Sequence, residues 1–237
     1  MLHVFDEVAA LAEAALDAFA GLARAAVEKR GRFTVALAGG STPRALYAQL
    51  AEHADLPWDR IELCFGDERA VPPDHRDSNA RMVHEVLTHR PFIDAARVHR
   101  IPAELPPAEA AAAYERTLRT LFPDASLPRF DLVLLGLGAD GHTASLFPRS
   151  PALSEQRAWV VSNPVETLGS ERITLTYPVL NAADRVLFLV TGADKATALR
   201  DTLEGSAAIE DVPARGVRPA SGNLLFLVDR AAASALS

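Results

Sequence analysis

The chain has 237 residues, with 24 basic and 31 acidic side chains, a formal net charge of -7, and 49% hydrophobic and 23% charged residues. This balance excludes a disordered or fibrous chain and supports a well-buried core. The negative charge argues against a general nucleic-acid or anionic-membrane surface, so any anionic ligand must be met by locally converging basic groups.

At this length one α/β domain covering 1–237 is expected. The first thirty residues are apolar, but Asp6, Glu7, Glu13 and Asp17 interrupt them and no basic segment precedes them, which argues against a signal peptide. Val8, Leu11, Ala12, Ala15, Leu16, Phe19, Leu22 and Ala26 recur at helical spacing and predict a helix packed on a core. No uncharged apolar stretch reaches the roughly 18 residues that a bilayer demands, so a cytoplasmic protein without membrane contact is expected. Cys64 is the single cysteine, set in the apolar run IELCF, which rules out an internal disulfide and predicts a core position.

Short β-branched runs then alternate with helical patterns. FTVALAG (33–39) precedes a helix from Pro43, RIELCFG (60–66) a helix from about Ser78, and RVHRI (97–101) the helix of AAAAYERTLRTLF. FDLVLLGLG, AWVVSN and RITLTYPVL follow, then RVLFLVTG before a helix near Lys195, and NLLFLVD before a terminal helix. The alternation predicts an α/β fold, a mostly parallel sheet flanked by helices on both faces, with its site at the carboxyl ends of strands.

Three strand-end loops carry the candidates. In the first, Gly39 and Gly40 lead to Ser41 and Thr42 as candidate N-caps and to Pro43 at the first helical position; a phosphate cradle and an ordinary strand-to-helix turn fit equally. In the second, Asp67, Glu68 and Arg69 follow a glycine, either as a solvated loop or as part of a site, with Asp77 or Ser78 capping the next helix. In the third, Gly136, Gly138 and Gly141 have G-x-G-x-x-G spacing, the mark of a dinucleotide turn. That reading fails, because AWVVSN ends in Ser162 and Asn163 with no acid for a ribose, and Pro148 interrupts the helix that should follow. The loop offers His142 as a general base instead, with Asp140 placed to fix its tautomer; local backbone capping is the plainer alternative.

His84, Glu85 and His89 nearly spell a zinc-protease motif. Their spacing of five rather than four turns the two rings about 140° apart on an α-helix, so they are expected to be surface residues. Neither a G-x-S-x-G elbow nor clustered Cys and His supports a serine hydrolase or a zinc site.

Together, LAGGSTPR (37–44), GDERAVPPDHRDSN (66–79) and GLGADGHTASLFP (136–148) resemble the signatures of the 6-phosphogluconolactonase family, with RITLTYPVLN and VTGADKATAL fitting downstream. The resemblance spans nearly the whole chain and implies a Rossmann-like fold shared with glucosamine-6-phosphate deaminases. It implies hydrolysis of 6-phospho-D-glucono-1,5-lactone, a step of the oxidative pentose phosphate pathway, by a monomer or weak homo-oligomer needing no cofactor and no metal. Gly39, Gly40, Ser41, Thr42, Arg172 and Lys195 would hold the sugar phosphate, with Arg44 contributing. Lysine occurs only at Lys29 and Lys195, which gives the second a reason to be there. His142 would activate water, Asp140 orient it and Arg69 stabilise charge on oxygen, while Asp67 and Glu68 would contact substrate or shape their loop.

Two alternatives are weaker. The related deaminases carry a glutamate five residues after the histidine, where this chain has Phe147. Sugar-phosphate-binding regulators need a DNA-binding segment, and the stretch before Phe33 reads as a single helix without room for a helix-turn-helix.

Overall fold

Runs that are apolar on both faces belong inside a sheet covered on both sides. The computed structural model, which describes residues 1–166 and 169–237, puts them there. Its strands are β1 (Leu2–Phe5), β2 (Phe33–Leu37), β3 (Ile61–Phe65), β4 (Asp67–Arg69), β5 (Val98–His99), β6 (Leu132–Leu135), β7 (Val160–Val165), β8 (Ser170–Leu175), β9 (Val186–Val190) and β10 (Leu224–Asp229). Its α-helices are α1 (Val8–Arg30), α2 (Ser41–Leu50), α3 (Asn79–Val83), α4 (Pro107–Leu121), α5 (Tyr177–Ala182) and α6 (Ala196–Leu203).

Seven strands form one parallel sheet in the order β1-β10-β9-β6-β2-β3-β5. β2, β6 and β9 are buried along their whole length; β6 and β9 are unbroken apolar runs, and β2 is broken only by Thr34, whose hydroxyl donates to Asp131 Oδ2 at 2.9 Å. From β2 the chain winds outward through β3 to β5, and from β6 it winds the other way through β9 and β10. The β2–β6 junction is therefore the topological switch point, where strand-end loops part and leave a crevice. Register across it pairs Val35 with Leu132, so the two strand ends finish close together.

The expected parallel α/β sheet flanked by helices is present, with departures. An edge strand, β1, precedes α1 and pairs Leu2 with Phe226, where a single helix was expected before Phe33. Four largely exposed residues show no period that could have announced it. AWVVSN is not part of the parallel sheet: β7 and β8 pair antiparallel, and β4 joins them in a separate three-stranded sheet. The second loop is thus a strand over Asp67–Arg69. The terminal helix shrinks to one 3₁₀ turn at Ala232–Ala235.

Helix α2 starts at Ser41 with Gly40 as its N-cap, so neither Ser41 nor Thr42 caps it and Pro43 is third, not first. Ser78 does cap α3, its Oγ accepting from Arg81 N at 3.1 Å. α3 then runs into one π-helical turn, His84–Thr88, in which His89 N bonds His84 O at 3.3 Å. The extra residue per turn corrects the expected splay: the His84 and His89 rings lie 6.4 Å apart, edge to face, although both are exposed as expected. Cys64 is free and buried. No helix among the described residues is long and apolar enough to cross a membrane.

Within the sheet, Phe188 of β9 stacks on Phe226 of β10 with centroids 4.4 Å apart and planes 8° from parallel. Both rings are enclosed by the core. Phe188→Ala should therefore cost about 3–5 kcal/mol. A thermal melt should record a Tm lower by roughly 6–20 °C, given about 2–4 °C per kcal/mol in a chain of this size.

Candidate active site

A cleft of about 230 Å³ opens at the switch point, bounded by the loops after β2, β6 and β9 and by β4. Gly39, Gly40, Ser41 and Thr42 enter it from the first loop, Asp67 and Arg69 from the second, His142 from the third and Lys195 from the segment after β9.

Gly39 is required sterically: a Cβ there would lie 2.0 Å from Asn79 Oδ1, so only glycine lets that buried side chain rest on the loop. Gly40 adopts φ 103°, outside the range open to other residues. The first N–H groups of α2 have no intrahelical partner and no side-chain cap, which leaves a positive helix end facing the cleft. Thr42 Oγ1 lies 2.7 Å from Thr191 Oγ1, tying this loop to the one after β9. There Gly192 N donates to both Asp229 oxygens at 3.1 and 3.0 Å, anchoring the turn that carries Lys195. Lys195 Nζ rests 2.9 Å from the exposed Asp194 carboxylate.

Asp67 is nearly enclosed. Its Oδ2 accepts from Ser145 Oγ at 2.6 Å and its Oδ1 from Asn79 Nδ2 at 3.3 Å, so one carboxylate joins the second and third loops. Arg69 donates to Asp77 O at 2.6 Å and stands directly opposite Arg172 in the β4–β8 ladder. Arg172 donates to Ser170 Oγ and Glu171 O, at 2.9 and 3.0 Å. Burial, then the Arg69 charge, push the Arg172 pKa down. Like charges directly opposed across a ladder are destabilising, and an anion between them relieves the cost.

In the third loop, His142 Nδ1 lies 2.5 Å from Asp140 Oδ1, and His142 N donates to the same oxygen at 3.1 Å. Partial burial raises the Asp140 pKa, but the hydrogen bonds from the His142 ring and backbone outweigh it and hold the carboxyl below its ordinary range. An ionised carboxylate only accepts, so Nδ1 carries a proton, and in the neutral ring Nε2 is the nitrogen that holds the lone pair. Phe147 stacks on the His142 ring at 4.1 Å and 25°, and a Cβ at position 138 would sit 2.1 Å from Nδ1. Gly138 is thus a seat for the imidazole, which accounts for one glycine of the G-x-G-x-x-G spacing.

Four of the sequence candidates lie off the cleft wall. Asp140 stands behind His142. Arg172 flanks the cleft through Arg69. Arg44 is exposed and opens onto a separate groove shared with His89 and Arg90. Glu68 is buried: it accepts from Arg69 N (2.8 Å), Asn79 N (2.7 Å), Ala80 N (2.7 Å) and Ser78 Oγ (3.1 Å), so it caps α3. Sequence reasoning missed Asn79, Ser145 and Thr191, which tie the loops together. All three lie inside the quoted motifs, but nothing in the local pattern shows that they turn inward.

A family model described as glucosamine-6-phosphate isomerases/6-phosphogluconolactonase matches residues 6–226. A curated protein of Nostoc sp., named 6-phosphogluconolactonase, is 43% identical over 240 residues, covering 100% of this chain and 98% of its own. A solved structure titled for 6-phosphogluconolactonase of Trypanosoma brucei superposes with TM-score 0.89 at 34% identity, covering 100% of this chain and 98% of that one. A monomeric glucosamine-6-phosphate deaminase superposes with TM-score 0.82 at 22% identity over 99% of each chain, a likeness of fold alone.

Glu68→Gln replaces the carboxyl with an amide of the same shape that does not titrate, so it isolates the contribution of the Glu68 proton equilibrium to stability. Burial raises the Glu68 pKa from its ordinary 4.5 by more than the Asn79, Ala80 and Arg69 N–H groups lower it. An acid with a raised folded pKa stabilises fully below its unfolded value, and that contribution is lost as pH rises through the folded value. The Tm gap between wild type and Glu68→Gln should therefore be widest below about pH 4.5 and narrow towards neutrality, as melts across that range would record.

Proposed function

The chain belongs to the glucosamine-6-phosphate isomerase/6-phosphogluconolactonase family, and from that premise we propose that it hydrolyses 6-phospho-D-glucono-1,5-lactone to 6-phospho-D-gluconate, in the oxidative pentose phosphate pathway. The observation that carries this reading is the meeting, in one cleft, of a tautomer-fixed histidine with an uncapped helix N-terminus and a lysine. The first suits proton transfer and the others suit a dianion.

In this reading the phosphate lies against Gly39, Gly40, Ser41 and Thr42, with Lys195 closing over it. The lactone carbonyl points towards Arg69. Water attacks C1 and yields its proton to His142 Nε2, Asp140 stabilises the resulting imidazolium, and Arg69, backed by Arg172, stabilises the oxyanion. Collapse breaks the C1–O5 bond, and the ring oxygen recovers the proton from His142. A lactone is already an activated ester, so one base worth about 10²–10⁴-fold, with charge stabilisation, suffices without a cofactor. Arg44 and Glu68 take no direct part.

The deaminase reading is disfavoured because position 147, where the resemblance expects a glutamate, is a phenylalanine stacked on His142. One domain over 1–237 and a cytoplasmic setting belong to the proposal, the latter supported by the lone reduced Cys64.

His142→Ala should lower kcat at least about 10²-fold while 6-phosphogluconate still binds, measured as lactone disappearance above spontaneous hydrolysis. An unchanged rate would assign the base elsewhere. A wild type silent on the lactone would overturn the reading, with ammonia release from glucosamine 6-phosphate as the next assay. Lys195→Ala, losing a charge-assisted hydrogen bond of about 1.5–3 kcal/mol, should raise KM by roughly 10- to 100-fold with little change in kcat.

A further inference from the structure

Two tyrosines that no step of the reaction uses sit at equivalent places in the fold. Tyr47, on α2, accepts a hydrogen bond from Ala38 N at 2.9 Å and donates one to Ala38 O at 2.8 Å. Tyr114, on α4, accepts from Phe65 N at 2.8 Å and donates to Phe65 O at 3.0 Å. Both side chains are wholly enclosed.

Ala38 is the residue just past β2, immediately before Gly39 and Gly40. Phe65 is the last residue of β3, immediately before Gly66 and Asp67. At a strand end the backbone leaves the ladder, and its N–H and C=O need partners where water cannot reach. One hydroxyl that takes both groups of one residue fixes the orientation of two consecutive peptide planes, and so the direction in which the loop departs.

The two pins act on different chemistry. Tyr47 is carried by the helix whose uncapped N-terminus faces the cleft, so its bond to Ala38, nine positions back, closes a loop around the anion cradle. Tyr114 reaches across 49 residues from α4, which packs against β7 and β8, and fixes the path into Asp67 and Arg69.

We propose that Tyr47 and Tyr114 are positioning residues with divided duties: Tyr47 holds the Gly39–Thr42 cradle in its anion-binding shape, and Tyr114 holds the Asp67–Arg69 edge against the reacting end of the substrate. The proposal rests on the lactonase reading and on the orientation of substrate given above.

The test compares Tyr47→Phe and Tyr114→Phe, which delete the same atom from equally buried sites. Because the deletions match, a merely structural role predicts matching kinetics. The proposal expects similar losses of Tm but opposite kinetic splits. Tyr47→Phe raises KM for the lactone and Kd for inorganic phosphate by about ten-fold with kcat within about two-fold. Tyr114→Phe lowers kcat by about ten-fold and leaves the phosphate Kd unchanged. Parallel changes in both variants, or unchanged kinetics in both, overturn it.

Phosphate binding reads the Tyr47 arm whether or not the lactone is the substrate, so a wild type without lactonase activity but with a weakened Tyr47→Phe phosphate site overturns the lactonase reading and not the cradle pin. If either variant fails to fold, hydrogen exchange on the wild type decides. Ala38 and Phe65 amides exchanging only on global unfolding support the pins, and exchange as fast as in surface loops overturns them.

Discussion

One buried carboxylate holds the cleft together. Asp67 gives one oxygen to Ser145 of the third loop and the other to Asn79, whose own side chain lies against Gly39 of the first. Two of these loops therefore share a single hydrogen-bonded node, and the first loop packs against it. A buried polar group leaves such a node only at the cost of an unsatisfied partner, which makes the arrangement stiff. The geometry of His142, of Arg69 and of the α2 N-terminus depends on that stiffness, because each is borne by a different one of these loops.

The charges sort themselves around the node. The helix end and Lys195 make one side of the cleft cationic, and the opposed Arg69 and Arg172 do the same for the other. A protein with net charge -7 can therefore attract a small dianion, since the field that counts is the local one inside a low-dielectric crevice. The facing arginines are poor for stability by themselves. Their presence is understandable where a ligand brings negative charge between them.

The histidine is prepared by its surroundings. Asp140 fixes which nitrogen bears the proton, Phe147 stacks on one face, and the missing Cβ at Gly138 makes room for the ring on the backbone. These supports all come from within a dozen residues of one loop, so the histidine arrives preassembled, and the tertiary fold has only to aim it at the space beside the α2 N-terminus. Under the proposed lactonase reading, preorganisation of this kind lets one general base suffice for an activated ester.

Local sequence determined much of this protein. The mainly apolar runs of β2, β3, β6, β9 and β10 announced themselves, because a strand covered on both faces is apolar along most of its length. The glycine turns and the His142–Asp140 pair were legible because they lie within a few residues of one another. What the tertiary structure alone decided was non-local. β1 is four largely exposed residues that become a strand only by pairing with β10, more than 200 positions away. β4 reads as a charged loop until β8 lies beside it, and Glu68 reads equally as a substrate contact or a loop-shaping residue until α3 folds its N-terminus onto the carboxylate. The expected caps Ser41 and Thr42 gave way to Gly40, which left the helix end open. Periodicity and turn chemistry are properties of neighbours in the chain. Register, burial and shared hydrogen bonds between distant segments are set only when the sheet has formed.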